Sequence, residues 1–161
     1  MQNDSAHQKG WQIFEVVVGI PFLAGIGLQF VWPIAFPFQR LKLIFVLSGI
    51  LMVLAGILLV SLTRREFSRH AQPTDPGFST SRIITTGVFS YSRNPLYLGG
   101  FLFLLGIDLG FGITWGLVSL IPALVACRFI LILIEEKYLA AKFGDEYLMY
   151  KTRVHRWIGR K

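Results

Sequence analysis

The sequence predicts an all-α integral membrane protein, a bundle of about four transmembrane helices followed by an amphipathic helix. Apolar residues make up 53% of the 161 residues and charged ones only 16%, where soluble domains average about a quarter. The apolar residues form uncharged runs that approach the roughly 20 residues needed to cross a bilayer. The cations lie beside those runs. We therefore expect a single membrane domain over residues 1–161.

The first two transmembrane helices are predicted over residues 16–32 and 43–63. The 24 residues between Glu15 and Arg40 contain no Asp, Glu, Lys or Arg. The 21 residues of the second run are also uncharged. The first run shows no convincing signal-peptide cleavage site, so we interpret it as a retained helix.

A polar connection and a helical hairpin are predicted next. Residues 64–95 are rich in Ser, Thr, Pro and Arg, and a connection of this length is usually functional or disordered. Residues 96–111 and 114–134 are predicted to be the third and fourth transmembrane helices, turning at Gly110 and Gly112. The third is short for a membrane span.

The distribution of charge predicts the orientation. Four spans place both termini and the 64–95 loop on one side, which holds 13 of the 16 cations and is therefore predicted to be cytoplasmic. Membrane topology accounts for the net charge of +7, so we expect no nucleic-acid partner. The histidines His7, His70 and His155 are far apart, so neither a metal site nor a Ser/His/Asp triad is predicted.

The run Gly87–Gly100 leads from the polar loop into the third helix and is the first candidate site. Pro95 suits an early helical position, and the Asn94 side-chain oxygen can cap the helix start. A helix start attracts anions, and Arg93 adds a donor fork for a carboxylate or phosphate. Tyr97 adds an aromatic face. The alternative interpretation is an anchor at the membrane edge.

A pair of carboxylates, Glu135 and Glu136, ends the fourth helix. Neighbouring side chains on a helix point about 100° apart, so at most one of the two is expected to face a given cavity. Arg128 lies two turns before Glu135 on the same predicted face, which suggests a shared polar cavity inside the bundle. The alternatives are a solvated helix end for Glu136 and a snorkelling or structural Arg128.

After Gly144 the sequence predicts an amphipathic helix. Tyr147, Leu148 and Tyr150 are expected to lie near the membrane, on the cytoplasmic side.

In order along the chain, these features resemble the isoprenylcysteine carboxyl methyltransferases and their phospholipid N-methyltransferase relatives. The family pattern is Gly-x-aromatic, Arg-His-Pro-x-Tyr-x-Gly, a helical hairpin, Glu-Glu and Phe-Gly-x-x-Tyr-x-x-Tyr. This chain has Gly87 and Phe89, then Arg93-Asn94-Pro95-Leu96-Tyr97-Leu98-Gly99, Glu135-Glu136, and Phe143-Gly144 followed by Tyr147 and Tyr150.

The resemblance implies an integral membrane methyltransferase that uses S-adenosylmethionine, with its cofactor-binding half at about residues 81–157. It implies a lipophilic acceptor entering from the bilayer among membrane lipids, no metal, and catalytic roles for Arg128 and Glu135. The implied cofactor-binding residues are Ser81, Ile83, Ile84, Phe89, Arg93, Asn94, Pro95, Leu96, Tyr97, Glu135 and Glu136.

Two departures from the family pattern bear on the acceptor. Asn94 replaces the family histidine and cannot titrate near neutral pH. Leu131–Ile134 replace the basic residue that relatives methylating a carboxylate often carry before the Glu pair. The acceptor stays open between an isoprenylcysteine-like carboxylate, a lipid headgroup, an amine and a small hydrophobic thiol or acid. The alternative functions are an NADPH-dependent membrane reductase resembling sterol reductases and a non-catalytic membrane scaffold.

Overall fold

The computed structural model describes residue 6 and residues 9–37, 39–73 and 78–161, apart from the side chain of Gln39. The described part is helical and contains no β-strand; Val154 and Arg160 form an isolated antiparallel bridge. The α-helices are α1 (Phe14–Val17), α2 (Gly19–Val31), α3 (Lys42–Arg69), α4 (Pro95–Phe111), α5 (Thr114–Ala126), α6 (Leu133–Phe143) and α7 (Asp145–Arg153). Short 3-10 turns span Gln39–Leu41 and Gly87–Ser90.

Three helical segments of the described chain are long and apolar enough to cross a membrane: Phe14–Val31, Lys42–Arg69 and Thr114–Phe143. Helix α4 is apolar but has only 17 residues. A 17-residue helix rises about 26 Å, somewhat less than the roughly 30 Å hydrocarbon layer. The multi-helix membrane architecture therefore agrees with the sequence prediction, and three of the four predicted spans reach full length.

Helix α3 is longer than predicted and shortens the polar loop. We expected the helix to end at residue 63, but residues 64–69 continue it. The hydroxyl of Ser68 donates to the Arg64 carbonyl at 3.0 Å, and Arg69 forms an ion pair with Glu66 at 3.3 Å. Local side-chain contacts therefore extend the helix beyond its apolar part.

Helices α3 and α4 pack with their backbones almost in contact. A Cβ atom on Gly49 would lie 2.6 Å from the Gly106 carbonyl oxygen, and one on Gly56 would lie 2.7 Å from the Gly99 carbonyl oxygen. Only glycine allows this approach, which is a common way to pack helices in membranes. Helices α2 and α5 approach similarly at Gly25, where a Cβ would lie 2.7 Å from the Trp115 carbonyl oxygen.

The predicted hairpin between α4 and α5 is present. Helix α4 ends at Gly112, which has φ +67°, and α5 begins two residues later. Asp108, the only charged residue of α4, is fully buried and occupies the space left by the missing side chain of Gly116.

The helix that follows α5 contains a wide turn. Residues Cys127–Ile132 are π-helical and join α5 to α6. A π-turn bonds i to i+5 and shifts the angular position of all later side chains. This change of register decides which side chains of α6 reach the site.

Candidate functional site

One large cavity lies at the end of the bundle where α3 stops and α4 begins. Its volume is about 430 Å³, within the 300–1,000 Å³ typical of small-molecule sites. Five parts of the chain form its walls: Ile13–Glu15, the end of α3 with the following loop, residues 89–97, the start of α6, and Tyr147 with Tyr150 from α7.

The turn before α4 is fixed by a buried carboxylate at the end of α3. The Thr86 hydroxyl donates to Glu66 Oε1 at 2.5 Å. Gly87 has φ +55°, and a Cβ there would lie 2.8 Å from the Glu66 carboxylate, so the turn needs glycine for both reasons. The turn places the Phe89 ring at the cavity, edge-on to Phe67 at 5.3 Å.

Two arginines share the Glu136 carboxylate beside the cavity. Arg93 Nη1 lies 3.1 Å from Glu136 Oε1 and donates to the Tyr147 hydroxyl at 3.2 Å. Arg156 donates from Nε and Nη2 to the two Glu136 oxygens at 2.8 and 2.9 Å. These hydrogen bonds to Glu136 raise the pKa of Arg156. Glu136 is 7% exposed, so the pairing compensates for the removal of its charge from water.

Residues 154–160, here called the strap, hold the turn before α4 in place. The Asn94 side-chain amide donates to the Arg156 carbonyl at 3.1 Å, and the Arg93 backbone N–H donates to the His155 carbonyl at 3.1 Å. The Gly159 N–H donates to the Tyr91 carbonyl at 2.7 Å. The strap thus supplies acceptors and donors that α4 itself does not.

Two tyrosines connect the remaining walls. The Tyr97 hydroxyl donates to Glu135 Oε1 at 2.8 Å, joining the start of α4 to α6. The Tyr150 hydroxyl donates to the Phe89 carbonyl at 2.7 Å, joining α7 to the turn. Burial raises the pKa of Tyr150, so its hydroxyl stays a donor at neutral pH.

The structure brings most of the sequence-predicted cofactor-binding residues to this cavity. Those lining it are Ile83, Ile84, Phe89, Arg93, Asn94, Pro95, Leu96, Tyr97, Glu135 and Glu136. Ser81 is not part of the lining. It bonds instead to Gln72, which lines the cavity: Gln72 Nε2 donates to the Ser81 hydroxyl, and the Ser81 N–H donates to Gln72 Oε1 at 3.0 Å.

Arg128 does not reach the cavity, and its predicted common face with Glu135 is corrected by the structure. Its side chain is exposed, and its guanidinium lies 5.6 Å from the centre of the Phe129 ring. The prediction assumed a regular α-helix between residues 128 and 135. The π-helical turn at 127–132 changes the register, so Glu135 faces the cavity and Arg128 does not.

Two further expectations are corrected, and the tyrosines of α7 lie at the cavity. Both Glu135 and Glu136 line the cavity, where Glu135 binds Tyr97 and Glu136 binds Arg93 and Arg156. Asn94 makes no side-chain cap to α4, since its amide binds the strap. Tyr147 and Tyr150 are buried against the site, whereas Leu148 between them is exposed.

Other cavity residues were not predicted to be functional. They include Phe14, Glu15, Arg64, Phe67, Gln72, Phe78, Tyr138 and Leu139. Phe14 and Glu15 precede the first predicted span, and the next four lie in the predicted polar connection, where no local pattern distinguishes them. The sequence did not predict the strap either, although it contains the large side chains Arg156 and Trp157 in a polar tail. Among the described residues, no three His, Cys, Asp or Glu side chains are grouped to hold a metal ion.

A family model described as phospholipid methyltransferase matches residues 44–146. The protein-S-isoprenylcysteine O-methyltransferase of Saccharomyces cerevisiae is 34% identical over 132 residues, which cover 74% of this chain and 54% of that protein. The Schizosaccharomyces pombe protein of the same name is 37% identical over 75 residues, 45% of this chain and 30% of that protein. An uncharacterized Haemophilus influenzae protein is 38% identical over its whole length and 39% of this chain.

The chain thus spans about half the length of the Saccharomyces relative. No solved structure matches the chain. The family model covers α3, the polar loop, the cavity turn, the hairpin and α6, which together make up most of the fold and most of the cavity. By this match, the chain belongs to the phospholipid methyltransferase family.

Proposed function

We propose that this protein is an integral membrane methyltransferase that transfers a methyl group from S-adenosylmethionine to a lipophilic acceptor. The observation that carries the proposal is the cavity at the end of the helices, which combines aromatic, acidic and basic side chains in one space of about 430 Å³. Family membership supports the same activity.

The apolar part of the cavity suits the adenine ring. Ile83, Ile84, Phe67 and Phe89 all line it, and the last two are already fixed edge to face. Flat aromatic and branched aliphatic surfaces bind a purine by stacking and burial. We assign this part of the cavity to the nucleoside.

The charged part suits the amino-acid end and the sulfonium. Glu135, held by Tyr97, offers a carboxylate to the cationic groups. Arg64 of α3 and Arg82 of the following loop line the cavity and are exposed, so they suit the cofactor carboxylate. Arg93 is already committed to Glu136 and Tyr147, and we assign it to positioning the wall.

The chain's residues would act mainly by orientation and by excluding water. S-adenosylmethionine supplies an activated methyl group: an acceptor lone pair forms the new bond to the methyl carbon as the carbon–sulfur bond breaks, and that electron pair stays on sulfur. Tyr97 and Glu135 would fix the cationic end, while the aromatic residues would keep water from competing. Asn94 would hold the turn through the strap and move no proton.

The acceptor would come from the bilayer, because three cavity residues, Ile13 to Glu15, belong to the apolar N-terminal helical segment or directly precede it. Both an isoprenylcysteine-like carboxylate and a lipid headgroup fit this route. We also propose that the cavity end faces the cytoplasm, since 13 of the 16 cations belong to that side of a four-span chain.

Calorimetric titration of the detergent-solubilised protein with S-adenosylmethionine and S-adenosylhomocysteine tests the proposal. We expect binding by the unchanged protein and a loss of affinity of about tenfold or more in Glu135→Gln, since one charge-assisted contact is worth about 1.5–3 kcal/mol. Glu146→Gln, an exposed carboxylate on α7, is the matched control. Binding of NADPH instead would favour a reductase, and a folded protein that binds neither nucleotide would favour a scaffold.

A further inference from the structure

The wall of the cavity nearest the apolar helices centres on one aromatic ring. Phe14, the first residue of α1, lines the cavity and is half-buried. Its ring stacks on Tyr97, with centres 5.9 Å apart and planes at 23°, and meets Phe101 edge-on at 5.5 Å. The ring therefore lies between the cavity and the membrane-level part of α4.

Gly100 provides the surface on which this ring rests. A Cβ atom at residue 100 would lie 2.5 Å from Phe14 Cζ and 2.7 Å from Cε1. No other side chain is among the three nearest atoms, and the atoms that would clash belong to the far end of a side chain rather than to backbone. A methyl group at residue 100 would therefore displace the Phe14 ring while leaving α4 intact.

Phe14 lies at the edge of the buried cluster that anchors α1. Val17 and Val18 are buried in that cluster with Cys127 and Leu131, and the half-buried Phe14 ring packs against it. Phe14 lies one turn earlier, after an extended Ile13 and at a helix start without a side-chain cap. The two buried valines anchor the α1 backbone, so the Phe14 side chain can be replaced without releasing the helix.

We propose that Phe14, resting on Gly100, closes the bilayer side of the cavity and limits the size of the group that can enter. This inference rests on the proposed function for the identity of that group, the lipophilic acceptor. Phe14 contacts the entering molecule, and Gly100 acts through Phe14 as a positioning residue.

The test compares how fast a small label and a bulky, lipid-soluble label enter the cavity, and it needs no turnover. Leu96 lines the cavity and is replaced by cysteine, and the protein is placed in phosphatidylcholine vesicles. Cys127, the only cysteine in the sequence, is fully buried and should react little with either label. Peptide mass then distinguishes labelling at residue 96 from any labelling at Cys127. The labels are the small N-ethylmaleimide and the bulky, lipid-soluble N-(1-pyrenyl)maleimide, and their rate ratio reports size selection.

We expect Phe14→Ala to raise the pyrenyl rate about tenfold, as loss of two aromatic contacts predicts, with a smaller change for the ethyl label. Phe14→Leu, which keeps an apolar anchor for α1, should give an intermediate ratio. Gly100→Ala should alter the ratio of the two labelling rates in the protein that keeps Phe14. In the Phe14→Ala protein the same substitution should leave that ratio unchanged. Gly110→Ala, on the same helix and with nothing within 4 Å of the added Cβ, is the control.

An unchanged ratio in both Phe14 variants would overturn the proposal. An equal effect of Gly100→Ala with and without the Phe14 ring would also overturn it, because the two residues would then act independently. Titration with S-adenosylhomocysteine on the same samples tests the proposed function separately. If the Phe14 variants change the rate ratio but the protein binds no nucleotide, the methyltransferase proposal is rejected and the role of Phe14 in closing the cavity is kept. If the protein binds nucleotide but the rate ratio does not change, only the role of Phe14 is rejected.

Discussion

The α3–α4 pair and the cavity end are held together by different forces. Between α3 and α4, glycines bring the two backbones into contact, and no charged side chain takes part at Gly49 or Gly56. At the cavity end, the wall depends on ion pairs and hydrogen bonds, such as those of Glu136 and Tyr150. The α3–α4 contact is therefore most sensitive to changes of size, and the cavity wall is also sensitive to loss of charge.

The sharpest way to break this contrast is to enlarge a glycine in the helix pair. In Gly56→Leu the side chain would meet the Gly99 carbonyl and the Phe103 backbone, which cannot move aside. We expect the free energy of unfolding to fall by more than about 3 kcal/mol, beyond the usual range for overpacking. Thermal unfolding in detergent measures it. Gly27→Leu, at an exposed glycine with nothing within 4 Å, should change little.

The corresponding change at the cavity end removes a charge without changing size. Glu136→Gln leaves Arg93 and Arg156 without their shared carboxylate, and we expect a loss of about 3 kcal/mol, at the low end for buried pairs because Arg156 is partly exposed. Affinity for S-adenosylhomocysteine should fall with it. Glu146→Gln controls for the charge. Equal, small effects of the two substitutions would mean that the pairing does not hold the wall.

A milder test removes one hydroxyl group from the cavity end. Tyr150→Phe deletes the bond to the Phe89 carbonyl and the longer one to the Ser92 carbonyl at 3.4 Å, and it keeps the ring, so we expect a loss of about 1 kcal/mol. Chemical unfolding with a matched Tyr91→Phe variant measures the difference, since the exposed Tyr91 contributes its ring to Arg160 rather than a hydroxyl bond. If neither variant changes the free energy of unfolding, packing rather than the Tyr150 hydrogen bond stabilises the wall.

The smallest expected effect lies outside both regions. Arg128→Gln should leave nucleotide affinity unchanged and stability within about 0.5 kcal/mol, because the side chain is exposed and faces away from the cavity. Calorimetric titration of this variant with S-adenosylhomocysteine measures the affinity and shows whether the nucleotide site extends as far as residue 128. A loss of affinity of tenfold or more would restore Arg128 to the site.

Helices and turn chemistry followed from the sequence because each depends on nearby residues. The uncharged run after Lys42 predicts α3, Pro95 predicts the start of α4, and Gly112 predicts its end. The motif around Arg93 and the Glu pair identified the family and part of the cavity lining, and the family assignment is confirmed by the model match. The features that the sequence predicted correctly depend on neighbouring residues or belong to the family motif.

The rest could not be predicted because it depends on register and on partners distant in sequence. One π-helical turn places Arg128 and Glu135 on different faces of the helix, and no single residue in 127–132 predicts such a turn. The pairing of Glu136 with Arg93 and Arg156 joins three separate segments. Phe14 reached the cavity through a fold that brings α1 beside α4, although the sequence shows only an apolar run.

The strap has a consequence for the order in which the molecule is built. Its carbonyl groups bind side chains at Ser92 and Asn94, which emerge from the ribosome 64 and 62 residues earlier. A chain synthesised only as far as α7 lacks the Arg156 carbonyl that these two side chains bind. The turn before α4 is therefore completed only after Arg156 has been added, later than all seven α-helices of the described chain.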